Sequence, residues 1–247
     1  SDERRGKPAV HLLYGNDTAI NSGTFLYLLP LACLSNSAFS EEQKNHIHAL
    51  WAVYLRRLHL GQAMDIAWHR DFNSLPKFAE YKKMCSLKTG CLARMAAVLG
   101  VYCAGYSTNS LDRDMMNNLA EKLGQGAEKL GVGFQILDDV KNLSSGIPGK
   151  KRGDDIVEGK KSLPILLYLH RYPEKRDFAA SCFKAARTTG TDAAELEELI
   201  KALETSGVLE EAQNKGMEFI RESRTIFIET VPLESRELLG GLIDFIS

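Results

Sequence analysis

Asp138 and Asp139 are adjacent carboxylates in the segment Phe134-Gln135-Ile136-Leu137-Asp138-Asp139-Val140-Lys141-Asn142. On a helix, Gln135, Asp138 and Asn142 fall on one face, at i, i+3 and i+7. Two neighbouring carboxylates repel each other unless a cation stands between or beside them. The pair also lies late in its helix, at the end where the dipole disfavours negative charge. Mg²⁺ is a hard cation that takes one or two carboxylates together with substrate phosphates. Metal binding is therefore one reading of the pair. A solvated acidic pair at a helix end is the ordinary alternative for Asp-Asp alone.

Cationic segments surround this pair in the chain. Gly149-Lys150-Lys151-Arg152-Gly153-Asp154-Asp155-Ile156-Val157-Glu158-Gly159-Lys160-Lys161-Ser162-Leu163-Pro164 follows it. A glycine-spaced basic loop after an acidic helix end can close lysines onto an anion that a metal also holds. The bland reading is a charged surface loop. Arg4-Arg5-Gly6-Lys7 offers three cations suited to phosphate oxygens. Lys88-Thr89-Gly90 offers an ammonium and a hydroxyl at a helix kink. Gln62 and Asp65 stand one turn apart inside an amphipathic helix, as a core polar network or as part of a site.

The elements that must carry these groups read as helices. Ser40 is a candidate N-cap for a helix from Glu41 to about His69, in which Leu50, Tyr54, Leu58, Gln62 and Asp65 share successive turns. A second helix is expected from Lys77 to Gly90 and onward, after a kink at Gly90, from Leu92 to Tyr106. A third runs from about Ser110 to Asn142. Its Gly124, Gly126, Gly131 and Gly133 cost helix stability and imply close helix packing. Residues 144–161 read as a loop. Shorter helices are expected at Leu163–His170, Lys175–Thr188, Ala193–Thr205, Val208–Phe227 and Leu233–Ile246. No strand alternation of useful length and no internal repeat is visible. The fold class is all-α, a bundle of long helices forming a single domain over residues 1–247.

Composition narrows the function classes. The 247 residues carry 31 basic and 32 acidic side chains, a net charge of −1, which argues against a general nucleic-acid binder. The 5 cysteines include no CxxC, so neither a zinc knuckle nor a disulfide framework is indicated, and a reducing, cytoplasmic location is expected. No uninterrupted apolar run approaches a membrane span, and no signal peptide is read. The chain starts at Ser1 without a Met, which suggests a segment upstream of this sequence.

The pieces RRGKPAVH, GQAMD, KTG, FQILDDVKN and GKKRGDDIVEGKKSLP, in this order, resemble the trans-isoprenyl diphosphate synthases. Each is short, and the five in register carry the resemblance, which covers Arg4 to about Pro164. The likeness is greatest to the geranylgeranyl diphosphate synthases of the eukaryotic type. These share a Leu12-Leu13-Tyr14-Gly15-like stretch, an Ile20-Asn21-Ser22-like segment and the pattern of His59 to Trp68. In the family's second Asp-rich motif, DDxxD, the last position is here Asn142, which fits the geranylgeranyl type.

The resemblance implies an isoprenoid synthase fold around a central diphosphate and Mg²⁺ site. It implies 1′-4 head-to-tail condensation of isopentenyl diphosphate with an allylic diphosphate, geranylgeranyl diphosphate being the favoured product. Carried over, Asp138 would ligate Mg²⁺, supported by Asp139 and Asn142. Arg4, Lys88, Lys150 and Lys160 would grip the allylic diphosphate, and Arg5 the isopentenyl diphosphate. Thr89 and Gln135 would line the reaction centre beside Phe134, making Lys88, Thr89, Gln135 and Asp138 the catalytic set. Asp65 would orient a lysine or a metal-bound water, and Asp155 would structure the basic loop. Two or three Mg²⁺ ions are expected, with the first Asp-rich motif, the N-terminal helices and part of the metal site upstream of Ser1. A homodimer is expected as well. The competing readings are a non-catalytic regulatory subunit of a heteromeric prenyl synthase and a class I terpene cyclase.

Overall fold

The computed structural model describes residues 3–4 (backbone alone), 6–108, 112–146 and 151–246. A two-residue antiparallel ladder pairs β1 (Glu3–Arg4) with β2 (Lys7–Pro8). Helices follow: α1 (Val10–Tyr14), α2 (Asn16–Ser35), α3 (Glu41–Arg70), α4 (Phe78–Cys85), α5 (Cys91–Thr108) and α6 (Arg113–Ser144). Then come α7 (Asp154–Val157), α8 (Leu163–Arg171), α9 (Arg176–Thr189), α10 (Ala194–Thr205), α11 (Val208–Thr230) and α12 (Leu233–Ile246).

The starts of the two longest helices are written in their caps. Ser40 accepts from the Gln43 backbone N–H at 3.3 Å, and the Gln43 side chain accepts from the Ser40 N–H at 2.9 Å. This reciprocal pair satisfies two otherwise orphaned donors of α3. Asp112 accepts from Met115 N at 2.8 Å and starts α6 in the same way.

α6 is the axis of the bundle, packed between α5 on one side and α11 on the other. Its glycines permit that packing. A Cβ on Gly131 would stand 2.7 Å from Gly90 Cα, and one on Gly133 would stand 2.9 Å from Gly216 O. Behind α6, a fully buried group that includes Leu143, Ile156, Ile165, Leu199 and Ile200 ties α7, α8, α9 and α10 together. Truncating one such Leu or Ile to Ala costs about 2–5 kcal/mol.

Three features differ from the pattern read in the sequence. The kink expected at Gly90 is a π-helical turn over Ser86–Gly90, between α4 and α5. One extra residue per turn there re-aims the side chains, as π-bulges do at functional sites. The polar stretch 144–161 contains the short helix α7. α2 had no delimited counterpart in the sequence reading, because it is apolar on every side and so has no helical periodicity. Ile20, Phe25, Leu26 and Leu29 on it are all exposed. By length and apolarity two helical stretches reach the dimensions of a membrane span, Asn16–Ser35 and Phe78–Thr108. The second is 39% buried within the bundle and carries the π-turn, and core helices of bundles meet the same test.

Candidate active site

The π-turn holds Lys88 and Thr89 where α3 and α6 converge. Gly61 of α3 makes that approach possible: a Cβ there would stand 2.7 Å from Leu87 C and against Lys88 N. From below, Ser86 donates to Glu128 of α6, which also accepts from Arg57 at 3.2 Å and from Arg94 at 3.1 Å. The turn is thus clamped from two helices.

Lys88 and Asp65 form an ion pair in which Asp65 is almost fully buried. His69, one helical turn on, reaches the other Asp65 oxygen through Nε2 at 3.0 Å. Burial works to raise the Asp65 pKa, but the hydrogen bond from His69 and the charge and hydrogen bond of Lys88 prevail and hold it at about 2. Asp65 is therefore a fixed anion that aims an otherwise long and mobile ammonium. These groups line a cleft of about 370 Å³, whose far side is formed by Asp155, Glu158 and Lys160.

Thr89 donates to Gln135 Oε1 at 2.8 Å, and Gln135 Nε2 donates to Asp139 Oδ1 at 2.9 Å. A hydroxyl on its oxygen and a carboxylate on its nitrogen fix the orientation of the Gln135 amide. Asp139 is the hub of the site's buried side. It accepts from Tyr81 at 2.6 Å, from Lys160 at 2.7 Å and from the Leu163 backbone N–H at 3.3 Å. Lys160 also pairs with Asp155 at 2.7 Å. Burial opposes the charge on Lys160, yet the Asp139 and Asp155 carboxylates outweigh it and hold the ammonium far above its ordinary value. Burial and the Asp139 charge likewise keep the Tyr81 hydroxyl protonated.

Successive helical residues point about 100° apart. Asp138 is accordingly half-buried at the surface of α6, while Asp139 is fully buried. Burial thus divides the expected metal set, Asp138, Asp139 and Asn142, into one half-buried and two fully buried members. Asp139 is saturated by four donors inside the protein. Asn142 is buried too, its oxygen accepting from Asp155 N at 3.2 Å while its nitrogen lacks a partner among the described residues. Among the described residues no group of three His, Cys, Asp or Glu side chains could hold a metal. Asp138 is the half-buried carboxylate of the three, and one or two carboxylates with substrate phosphates are what Mg²⁺ ordinarily takes.

The other expected site residues divide clearly. Lys88, Thr89 and Gln135 are brought together, with Asp65 orienting Lys88. Phe134, 43% exposed, stands next to Gln135 on α6. Lys160, expected to grip the allylic diphosphate, borders the cleft and is paired with Asp139 and Asp155. Arg5, Lys150 and the Arg4 side chain lie outside the described residues. Sequence reasoning missed His69, though its i+4 spacing from Asp65 was a usable signal. It also missed Tyr81 and Glu128, whose partners are 58 and 42 residues away along the chain.

Comparison with known proteins follows this geometry. A family model described as polyprenyl synthetase matches residues 1–203. A geranylgeranyl pyrophosphate synthase of Neocamarosporium betae is 35% identical over 176 residues, 70% of this chain and 46% of that protein. The crystal structure of a geranylgeranyl pyrophosphate synthetase from Pyrococcus horikoshii superposes with a TM-score of 0.83 at 25% identity, over 100% of this chain and 71% of that one. A polyprenyl synthase from Caulobacter crescentus, solved with calcium and isoprenyl diphosphate, superposes with a TM-score of 0.79 at 25% identity, over 100% of this chain and 70% of that one. The chain thus spans about half the length of the fungal relative.

Proposed function

We propose, for a chain that belongs to the polyprenyl synthetase family, that it supplies the diphosphate-binding wall of an enzyme condensing isopentenyl diphosphate with an allylic diphosphate to give geranylgeranyl diphosphate. The observation that carries this is the pairing of Lys88 with buried Asp65, on a π-turn that also joins Thr89 to Gln135. A rigidly aimed ammonium facing a polar cleft is suited to the oxygens of a leaving pyrophosphate.

In this reading the allylic C1–O bond breaks first and pyrophosphate departs. The double bond of isopentenyl diphosphate then forms the new C–C bond to that carbon. A proton leaves the resulting cation, taken by the released pyrophosphate. Lys88 stabilises the charge that develops on the leaving oxygens, and one such preorganised donor is worth ~10²–10³ in rate. Thr89, held by Gln135, stands beside the departing oxygen. Phe134 presents an apolar face that keeps water from the cation. A divalent metal, Mg²⁺ in this reading and two or three ions in number, would be held here by Asp138 and would supply further electrostatic stabilisation of the pyrophosphate. A homodimer belongs to the same reading and is supported by the exposed apolar side chains of α2.

The test is direct. Purified protein is incubated with farnesyl diphosphate, labelled isopentenyl diphosphate and Mg²⁺, and the products are separated by chain length. A linear C20 diphosphate is expected. Unreacted substrates alone, or a cyclic hydrocarbon, would sink the proposal.

A further inference from the structure

Behind the cleft lies a second concentration of positive charge. A pocket of about 280 Å³ is lined by Arg70, Phe72, Phe183, Lys184, Arg187 and Thr188. Beneath its aromatic wall sits Lys161, 2% exposed. Its ammonium stands 4.7 Å from the Phe72 ring centre and 5.0 Å from that of Phe183. Among the described residues its hydrogen-bond acceptor is Gly159 O, at a long 3.5 Å.

No carboxylate forms an ion pair with Arg70, Lys161, Lys184 or Arg187 among the described residues. Lys160, next in the chain, is buried just as deeply and has two carboxylates at 2.7 Å. The contrast is between a solved charge and an unsolved one. Taking an ammonium out of water is costly, and desolvated cation–π contacts return only part of that cost. Arg187 adds repulsion to Lys161, while Asp71 attracts it without reaching ion-pair distance. Four cations around one partly apolar pocket are complementary to a polyanion.

The two pockets stand back to back. His69 and Lys160 line the catalytic cleft, while of their chain neighbours Arg70 lines the basic pocket and Lys161 lies buried against the pocket's Phe72 and Phe183. Arg187 donates to the His69 carbonyl at 2.5 Å, so the basic pocket is bonded to the segment that holds Asp65. We propose that the pocket around Arg70, Lys161, Lys184 and Arg187 is a second anion site, built for a diphosphate group and separate from the catalytic cleft. Its chemistry suits both free pyrophosphate and a prenyl-bearing diphosphate whose apolar end lies on Phe72 and Phe183. This inference stands without the proposed condensation.

Titration calorimetry with inorganic pyrophosphate in metal-free buffer tests it, using the whole chain. Arg70→Gln/Lys184→Gln removes two exposed cations and leaves the core intact, whereas Lys88→Gln removes the catalytic ammonium. The double variant is expected to weaken one class of pyrophosphate sites by about tenfold or more, since it removes two charge-assisted contacts. Lys88→Gln should leave that class in place. If the double variant binds pyrophosphate as the native chain does, or if Lys88→Gln abolishes all binding, the site does not exist. A parallel titration with geranyl diphosphate separates the sources: equal affinity assigns the diphosphate alone, and tighter binding assigns the prenyl-bearing anion. Absence of elongation activity in the native chain with this binding present would overturn the proposed reaction and leave the second site standing.

Discussion

Thr89 donates its hydroxyl proton to the Gln135 side-chain oxygen at 2.8 Å, joining the π-turn to α6. The bond is the first of a series. Gln135 passes on to Asp139, and Asp139 binds Tyr81 and Lys160, so a group beside the cleft is tied to the most buried charges of the site. Each member fixes the next, and none can rotate without leaving a buried partner unsatisfied.

Gln135→Leu cuts this series in the middle while keeping about the same volume. Thr89 loses its acceptor and Asp139 one of its four donors. An unsatisfied buried polar group costs about 1–3 kcal/mol. The urea midpoint should fall accordingly, and kcat should fall by about tenfold or more as Thr89 loses its orientation. Native turnover in this variant would show that the Thr89 geometry plays no part in the reaction.

Asp138 and Asp139 are neighbours in sequence with opposite expected phenotypes. Asp138→Ala removes a half-buried carboxylate and should leave the melting temperature within a few degrees of native, while Mg²⁺-dependent turnover is lost. Asp139→Ala strands Lys160 with one carboxylate in place of two and deprives Tyr81 of its acceptor. Breaking a buried ion pair on one side costs about 3–5 kcal/mol. Thermal melts and metal-dependent rates on the two variants separate the roles. Equal melting temperatures would refute the assignment of Asp139 as a structural hub.

How far these roles were legible depends on the range of the interaction. The α3 boundaries followed from Ser40 as a cap and an amphipathic repeat, both local signals. The convergence of Asp65, Lys88 and Gln135 could be anticipated through a family resemblance, because each sits in its own short motif. The division of labour between Asp138 and Asp139 was not legible. It depends on which way α6 is rotated against Tyr81 and Lys160, and no local pattern specifies that rotation. α2 escaped delimitation for the opposite reason: with apolar side chains all round it, periodicity has nothing to report.

Gly61 offers a test of the clamp on the π-turn. A methyl group there meets the backbone of Leu87 and Lys88, which cannot rotate away as a side chain would. Gly61→Ala should push the turn from α3 and displace Lys88 relative to Asp65. Overpacking of this kind costs about 1–3 kcal/mol, and a misplacement of about 1 Å can cost ~10²-fold in rate. Steady-state kinetics with a thermal melt would read both effects. A variant as active and as stable as the native protein would mean that the close approach of α3 to the turn is incidental.

Lys161 gives the chain a pH signature of its own. Burial, helped by the nearby Arg187 charge, lowers its pKa to about 8, against 10.5 when unperturbed. Below pH 8 the lysine is protonated in both the folded and the unfolded chain, and it contributes no pH dependence. Between pH 8 and 10.5 the unfolded chain keeps a proton that the folded chain releases. Stability rises with pH wherever the unfolded state binds more protons, so this group adds a positive slope across that window, at most about 1.4 kcal/mol per pH unit. Lys161→Met removes the group, and the difference between its unfolding free energy and that of the native protein should shift across the window in that direction. Urea midpoints at pH 7, 8, 9 and 10 measure the difference while other titrating groups cancel. Saturating pyrophosphate should flatten it, because an anion beside Lys161 favours the charged form in the folded state. A native-minus-variant difference that stays constant from pH 7 to 10 would show that Lys161 keeps its ordinary affinity for the proton, and the case for an unbalanced charge in this pocket would fail with it.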